Sequence, residues 1–337
     1  MKKLVIPLIL LAAVMAATYV VRNMRRTAGT ADPVSSGRSN AYADQFYVEV
    51  SALGNLDYFY DHKLGLKMAG EFLGVQTDYI GPAEYDMTAM VTAFEQVLAK
   101  PNLKGVLVVG FEDVLIPTID KAVERGIPVV TLDADLPNSK RVAFVGTGNF
   151  QAGYQGGQKL AELIGRQGKV ALMTKSGQSN LEERVRGYRE ALADFDGVEI
   201  VQVVDTKSDS GIAAQVASAV LDRHPDLTGL ACVEAAGGVG AAAAVRERGL
   251  VGQVKIVAMD RGNDILGLIG EGVIDATVAQ QTALMPFYGA QILFNLQNAT
   301  APITKDNEKA GVLGVPPVID TGVIIVDNTN YEFFIRE

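Results

Sequence analysis

The chain has 337 residues, 48% of them hydrophobic and 20% charged, with a formal net charge of −9. That length exceeds what one ordinary domain needs, and the composition excludes an intrinsically disordered chain. The first thirty residues hold five basic and no acidic side chains, so the rest carries 25 basic against 39 acidic groups, a net of −14. A body of that charge repels phosphate backbones, and no nucleic-acid partner is expected.

Lys2 and Lys3 precede an uncharged apolar stretch, residues 4–21, and Arg22, Arg25 and Arg26 follow it. Residues 1–30 therefore read as a signal peptide or an N-terminal membrane anchor. Small residues around Val14-Met15-Ala16 favour cleavage, whereas the basic cluster behind the stretch favours retention. Either way the body is expected on the periplasmic or extracellular face. Residues 31–43 are small and polar and read as a linker.

From residue 45 onward, β-rich runs alternate with amphipathic segments. The pattern predicts strands at 46–50, 74–79, 105–109, 127–132, 168–173, 228–233, 254–259 and 275–279, with helices at 57–73, 87–99 and 113–125. Near-continuous Val/Ile/Leu strands alternating with helices predict an α/β protein whose parallel sheets are covered on both faces. Segments 103–133 and 227–260 repeat one plan: apolar strand, turn, helix, an Arg-Gly stop (Arg125-Gly126, Arg248-Gly249), a second apolar strand and a terminal aspartate, Asp133 or Asp260. Two doubly wound, Rossmann-like lobes are expected, with a ligand in the cleft between them, because open α/β sheets bind ligands outside their strand ends. The rival role for both aspartates is to cap the helices that follow.

Other strand-end residues supply the remaining candidates. Asn55, Asp57, Tyr58 and Phe59 follow the first strand, placing an amide, a carboxylate and two aromatics at a helix start. Aromatic faces pack on the C–H faces of a sugar ring while amides and carboxylates take its hydroxyls, and one of the two rings is expected in the core. Asn180 and Glu183 form a capping-box pattern. Arg184 then falls in the first helical turn, where the helix dipole disfavours a cation, so it is expected to serve as a planar donor toward the cleft. Glu234 and Gln280 end further strands. Gly238-Val239-Gly240 with Ala243 imitates a dinucleotide fingerprint but lies in the second lobe, where small residues permit close helix packing. Cys232 sits in an apolar run and is expected buried. His62 and His224 are expected on the solvated surface. No nucleophile–base constellation can be assembled, so an enzyme is not expected, and neither a cofactor nor a metal is implied.

These residues, taken together, resemble the ribose/galactose type of periplasmic binding protein that serves ABC importers. The resemblance rests on Asn55 with Tyr58-Phe59, on 127–133, on Val145-Gly146-Thr147 with Asn149 and Ala152-Gly153, on Arg184 with Gly187-Tyr188, on Asp260, and on 277–280. It implies a periplasmic binding protein-like I fold with a three-stranded hinge, crossed near 147–149, near Gln280 and within 311–320. The lobes would then hold 44–147 plus 281–310, and 148–280 plus 311–337. It implies ligand contacts at Asn55, Tyr58, Phe59, Asp133, Arg184, Asp260 and Gln280. Asp57, Asp135 and Glu234 are added here from their neighbouring positions. Where ribose-type members carry Arg and Asn, this chain has Ala134 and Glu234, which favours a neutral or cationic hydroxyl-rich ligand over an acidic one. The expected activity is capture of a monosaccharide or polyol by lobe closure, as a monomer, with delivery to ABC permease subunits. The alternative is a membrane-tethered sugar or autoinducer sensor.

Overall fold

The computed structural model describes residues 41–55 and 57–336. The signal or anchor segment and most of the linker lie outside the described residues. Among these, no helix is long and apolar enough to cross a membrane.

The first half of the body builds β1 (Phe46–Val50), α1 (Tyr60–Leu73), β2 (Gln76–Ile80), α2 (Met87–Val97), β3 (Leu103–Val109), α3 (Ile116–Glu124), β4 (Val129–Leu132) and β5 (Ala143–Gly146). The second half repeats the order with α4 (Asn149–Leu163), β6 (Gly168–Thr174), α5 (Ser179–Ala193), β7 (Val198–Asp205), α6 (Ser210–Arg223), β8 (Leu227–Cys232), α7 (Ala235–Glu247), β9 (Lys255–Met259), α8 (Asn263–Gly270) and β10 (Ala276–Gln280). The chain ends with α9 (Leu284–Asn298), β11 (Val318–Asp320) and β12 (Val323–Asp327).

Two six-stranded sheets result, ordered β11-β5-β4-β3-β1-β2 and β12-β10-β9-β8-β6-β7. Position for position the orders are the same, so the internal repeat read from the sequence is a structural one. Every recorded pairing is parallel except β10 with β12, which is antiparallel. Parallel pairing requires crossover helices that cover the sheet faces. On the first sheet, Val48, Val50, Val106 and Val108 pack toward α2 and α3, while Tyr47, Leu107, Val130 and Leu132 pack toward α1 and α9. The second sheet is likewise sandwiched between two apolar layers, and Cys232 is buried in one of them.

The chain passes between the sheets three times: from β5 into α4, from β10 into α9, and from β11 into β12. These passages are tied to one another. Thr321 N–H donates to the Gly146 carbonyl at 2.8 Å, Gly148 N–H to Asp320 at 2.7 Å, and Gln281 Nε2 to the Thr321 carbonyl at 2.6 Å. The stretch 311–337, assigned above as a whole to the second lobe, divides. Val318–Asp320 pairs with β5 in the first sheet, and the return falls at Thr321–Gly322 rather than earlier.

Two local expectations change. Asn180 caps nothing: α5 begins at Ser179 with Gln178 as its cap residue and without a side-chain capping bond, and Glu183 instead pairs with Arg186. His62 is fully buried rather than solvated. Its Nδ1 lies 2.6 Å from Glu49 Oε1, because β1 directs Glu49 to the face covered by α1.

Candidate ligand-binding site

A cavity of about 530 Å³ opens between the two lobes. Its walls come from both: Asn55, Tyr58 and Asp61 from the first, Asp260 to Asp264 and Gln280 from the second, with Thr282 and Arg336 at the junction. Pockets of this size accommodate small molecules.

The two aspartates that end β4 and β9 share an unusual backbone. Asp133 has φ 62° and Asp260 φ 69°, both left-handed. Asp133 N–H donates to Val145 of β5 at 3.1 Å, and Asp260 N–H donates to Val278 of β10 at 2.9 Å. The same turn is thus made twice, by a residue type that tolerates the left-handed region better than most side chains. Neither carboxylate caps the helix that follows. Gly262 is the cap residue of α8, without a side-chain bond.

Each aspartate has its own polar surroundings. In the first lobe, Tyr58 Oη–H donates to Asp133 Oδ1 at 2.7 Å. In the second, Gln280 Nε2 donates to Asp260 Oδ1 at 2.8 Å, and Arg184 Nη2 donates to Gln280 Oε1 at 3.2 Å. Arg184 also donates through Nε to Asn149 at 2.8 Å and through Nη1 to the Val233 carbonyl at 3.0 Å. The guanidinium therefore braces the ends of β8 and β10 and the start of α4. It is buried, as expected of a site residue, but it stands behind Gln280 instead of projecting alone into the cleft.

The electrostatics join the lobes. Burial pushes the Tyr58 phenol well above its ordinary pKa, reinforced by the charges of Asp133 and Asp260 and opposed by Arg184. Burial also raises the Asp260 pKa, while Arg184 and the Gln280 hydrogen bond hold it down and Asp133 raises it further. Two carboxylates and a phenol thus stand within electrostatic reach of one another and of Arg184, with Tyr58 and Asp260 in the cavity wall. Each carboxylate keeps lone pairs for additional donors.

Other expected residues are placed differently. Phe59 is the ring that enters the core, packing edge-on against Tyr58, His62 and Phe111, which leaves Tyr58 as the aromatic of the cavity wall. Asp57 opens the 3-10 turn Asp57–Phe59, and its side chain lies outside what the structure describes. Asp135 is held by Arg141 through Nε and Nη2 at 2.5 and 2.6 Å, by Thr131 at 2.7 Å and by the Leu136 N–H at 2.8 Å. Glu234 caps α7, accepting from the Ala236 and Gly237 N–H groups at 2.9 Å and from Thr206 at 2.8 Å. Of the expected contacts, Asn55, Tyr58, Asp260 and Gln280 line the cavity, whereas Phe59, Asp133, Asp135, Arg184 and Glu234 are not among its lining residues. Sequence reasoning missed Asp61, Arg261, Asn263, Asp264, Thr282 and Arg336. The nearness of 261–264 to Asp260 was the only signal for that group, and nothing local marks Asp61 or Arg336.

Twin doubly wound sheets, three tied passages and a polar cleft between matched strand ends define a two-lobed binding protein. Residues 46–301 match the periplasmic binding protein domain family, and the chain belongs to it. Among solved structures it is similar to the arabinose-binding protein AraP from Geobacillus stearothermophilus, at 36% identity and a TM-score of 0.82 over 87% of this chain and 100% of that one. A sugar-binding protein of a sugar ABC transporter from Bacillus halodurans shows 34% identity and a TM-score of 0.82, over 86% and 100%. The D-allose-binding periplasmic protein of Escherichia coli (strain K12) is 28% identical over 275 residues, 78% of this chain and 88% of that protein.

Proposed function

We propose that this chain is the exported substrate-binding protein of a sugar ABC importer. It captures a neutral monosaccharide, an aldopentose or aldohexose, between its lobes and delivers it to a membrane permease. The observation that carries this reading is the pair of left-handed aspartates at matched strand ends, Asp260 in the cavity wall and Asp133 holding the hydroxyl of Tyr58, which lines the same wall. A sugar presents hydroxyl donors around its rim, and two carboxylates from opposite lobes bind it only when the lobes meet. Ligand affinity is then greater for the closed form, which is what shifts the population. Charge-assisted hydrogen bonds of this kind contribute roughly 1.5–3 kcal/mol each. Similarity to arabinose- and allose-binding proteins supports the size class of the ligand.

The test is a thermal-shift screen of the purified protein against aldopentoses, aldohexoses, ketohexoses, polyols, amino acids and nucleosides. A sugar at about a thousand times its dissociation constant stabilises by roughly 4 kcal/mol. A shift confined to one or two aldoses is expected. A shift with an amino acid or nucleoside, and none with any sugar, overturns the reading.

A further inference from the structure

Four side chains distant in sequence meet in the cavity wall, beside the passage from β10 into α9. The Asp61 carboxylate, on α1 of the first lobe, accepts from Arg261 Nη2 and from Arg336 Nη2, and from Thr282 Oγ1 at 3.0 Å. Asp61 is almost fully buried, while the two arginines are 23% and 28% exposed. Gly65 explains the approach. A Cβ there would lie 1.9 Å from the Ala283 carbonyl oxygen, so glycine lets α1 lie directly on the 282–283 passage with Asp61 one turn earlier.

The arginines belong to the opposite side. Arg261 follows β9. Arg336 ends a C-terminal tail whose Tyr331 and Phe334 pack on the core of the second sheet, with the Tyr331 ring against Gly270 of α8. Arg261 also donates to the Phe334 carbonyl at 3.4 Å, linking the loop to the tail. The Arg336 guanidinium lies 5.2 Å from the Tyr60 ring of α1. The tail is thus rooted in the second lobe and grips the first. Asp61, Arg261 and Arg336 all line the cavity, so the grip is part of its wall.

We infer that the C-terminal tail is a clasp holding the lobes together over the cavity, with Asp61 as its catch, and that it sets how long a bound ligand is retained. The inference rests on the sugar-binding reading only for the ligand. The clasp itself is a property of the two lobes. Opening the cleft separates Asp61 from both guanidinium groups, leaving a buried carboxylate without its cations, so each ion pair favours the closed form selectively. Two arginines on one carboxylate make the device redundant. Loss of one guanidinium leaves the other, and loss of both releases the lobes. These groups share the cavity wall with Tyr58, Gln280 and Asp260, and because their ion pairs join the two lobes the clasp acts chiefly on dissociation.

The experiment uses the full chain with fluorophores at Lys67→Cys on α1 and Glu190→Cys on α5, both exposed, Cys232 being buried and unlabelled. Single-molecule energy transfer reads the lobe separation without sugar, and stopped-flow mixing with L-arabinose and with D-allose reads association and dissociation. Arg336→Gln is expected to enlarge the open population several-fold, and Arg261→Gln with Arg336→Gln about tenfold. Dissociation of whichever sugar binds should accelerate in proportion. Arg336→Lys is expected to recover part of the closed population. If the double variant keeps both the wild-type separation and the wild-type dissociation rate, the clasp is overturned while sugar binding stands. If its lobes open but neither sugar binds any form of the protein, the clasp stands and the sugar reading falls.

Discussion

The two strand-end aspartates occupy the same place in twin lobes, with matching backbone angles and matching main-chain hydrogen bonds, yet their polar neighbours differ. Asp133 accepts from a phenol, and no arginine bonds it. Asp260 is the end of a chain that runs from Asn149 through Arg184 and Gln280. The scaffold is repeated in the two lobes, whereas the polar surroundings are not. The first lobe offers an aromatic face with one carboxylate, the second a braced carboxylate beside a guanidinium. On the proposed function, a hydroxyl-bearing ring would draw on both kinds of surface, one from each lobe.

The most severe test of that asymmetry is removal of each aspartate. Asp260→Ala is expected to weaken sugar binding by roughly 100-fold or more, since it deletes charge-assisted bonds and leaves the Gln280 amide without its buried acceptor. Asp133→Ala should cost about ten- to thirty-fold, because Tyr58 remains and can turn its hydroxyl to the ligand. Titration calorimetry of both variants decides the matter, and equal losses would show that the lobes contribute alike. A milder change sharpens the same comparison. Burial raises the Asp260 pKa above its unfolded value near 3.9, so the stability tied to its proton is fully present below that pH and is lost as pH rises through the raised folded value. The ionised carboxylate therefore weighs against the ligand-free fold. Asp260→Asn is expected to stabilise the ligand-free protein by about 1 kcal/mol in urea unfolding at pH 7 while abolishing tight binding, a trade made at functional sites. Tyr58→Phe has the smallest expected effect on binding, about three- to tenfold, seen in the dissociation constant without loss of folding.

How much of this was readable beforehand depended on whether a signal was local or repeated. The parallel strands, the twin aspartates and the two-lobed plan were legible because the same apolar pattern recurs in 103–133 and 227–260. Helix α4 was not singled out, since Gly153, Gly156 and Gly157 argue against helix on propensity. The structure gives their reason. A Cβ at Gly153 would lie 2.0 Å from the Arg184 carbonyl oxygen, and one at Gly156 would lie 2.2 Å from the Tyr188 hydroxyl, so α4 is glycine-rich where it presses on α5. Asp135 and Glu234 were read as ligand contacts because a carboxylate beyond a strand looks the same whether it meets a sugar, an arginine or a helix N-terminus. Only the fold decides which. The grip of Arg336 on Asp61 joins residues far apart along the chain, and no pattern in a single sequence announces such a pair.

His62 was missed for a related reason, and the second lobe shows what it replaces. Glu49 of β1 pairs in register with Leu107 of β3, while Leu172 of β6 pairs with Ala231 of β8, and Leu107 and Ala231 hold equivalent places in the repeat. The first lobe thus buries a carboxylate and an imidazole where the second buries a leucine. Burial depresses the His62 pKa, but the charge and hydrogen bond of Glu49, with Asp133 and Asp61 beyond, outweigh it and the net shift is upward. A histidine whose folded pKa is raised contributes stability that is complete below its unfolded value near 6.5 and is lost as pH rises through the folded value. Unfolding free energy should therefore fall as pH rises through that window. Replacing the pair as a unit, Glu49→Leu with His62→Leu, copies the second lobe and should leave the fold intact, because a buried ion pair exchanged for apolar groups is often neutral. The double variant is expected to unfold at nearly the wild-type denaturant midpoint at pH 8 and to lose the downward slope. A variant that keeps the slope would place the titrating group elsewhere. One that loses sugar affinity would mean that the pair, 5.9 Å from the Tyr58 ring at its imidazole, also holds that ring in place.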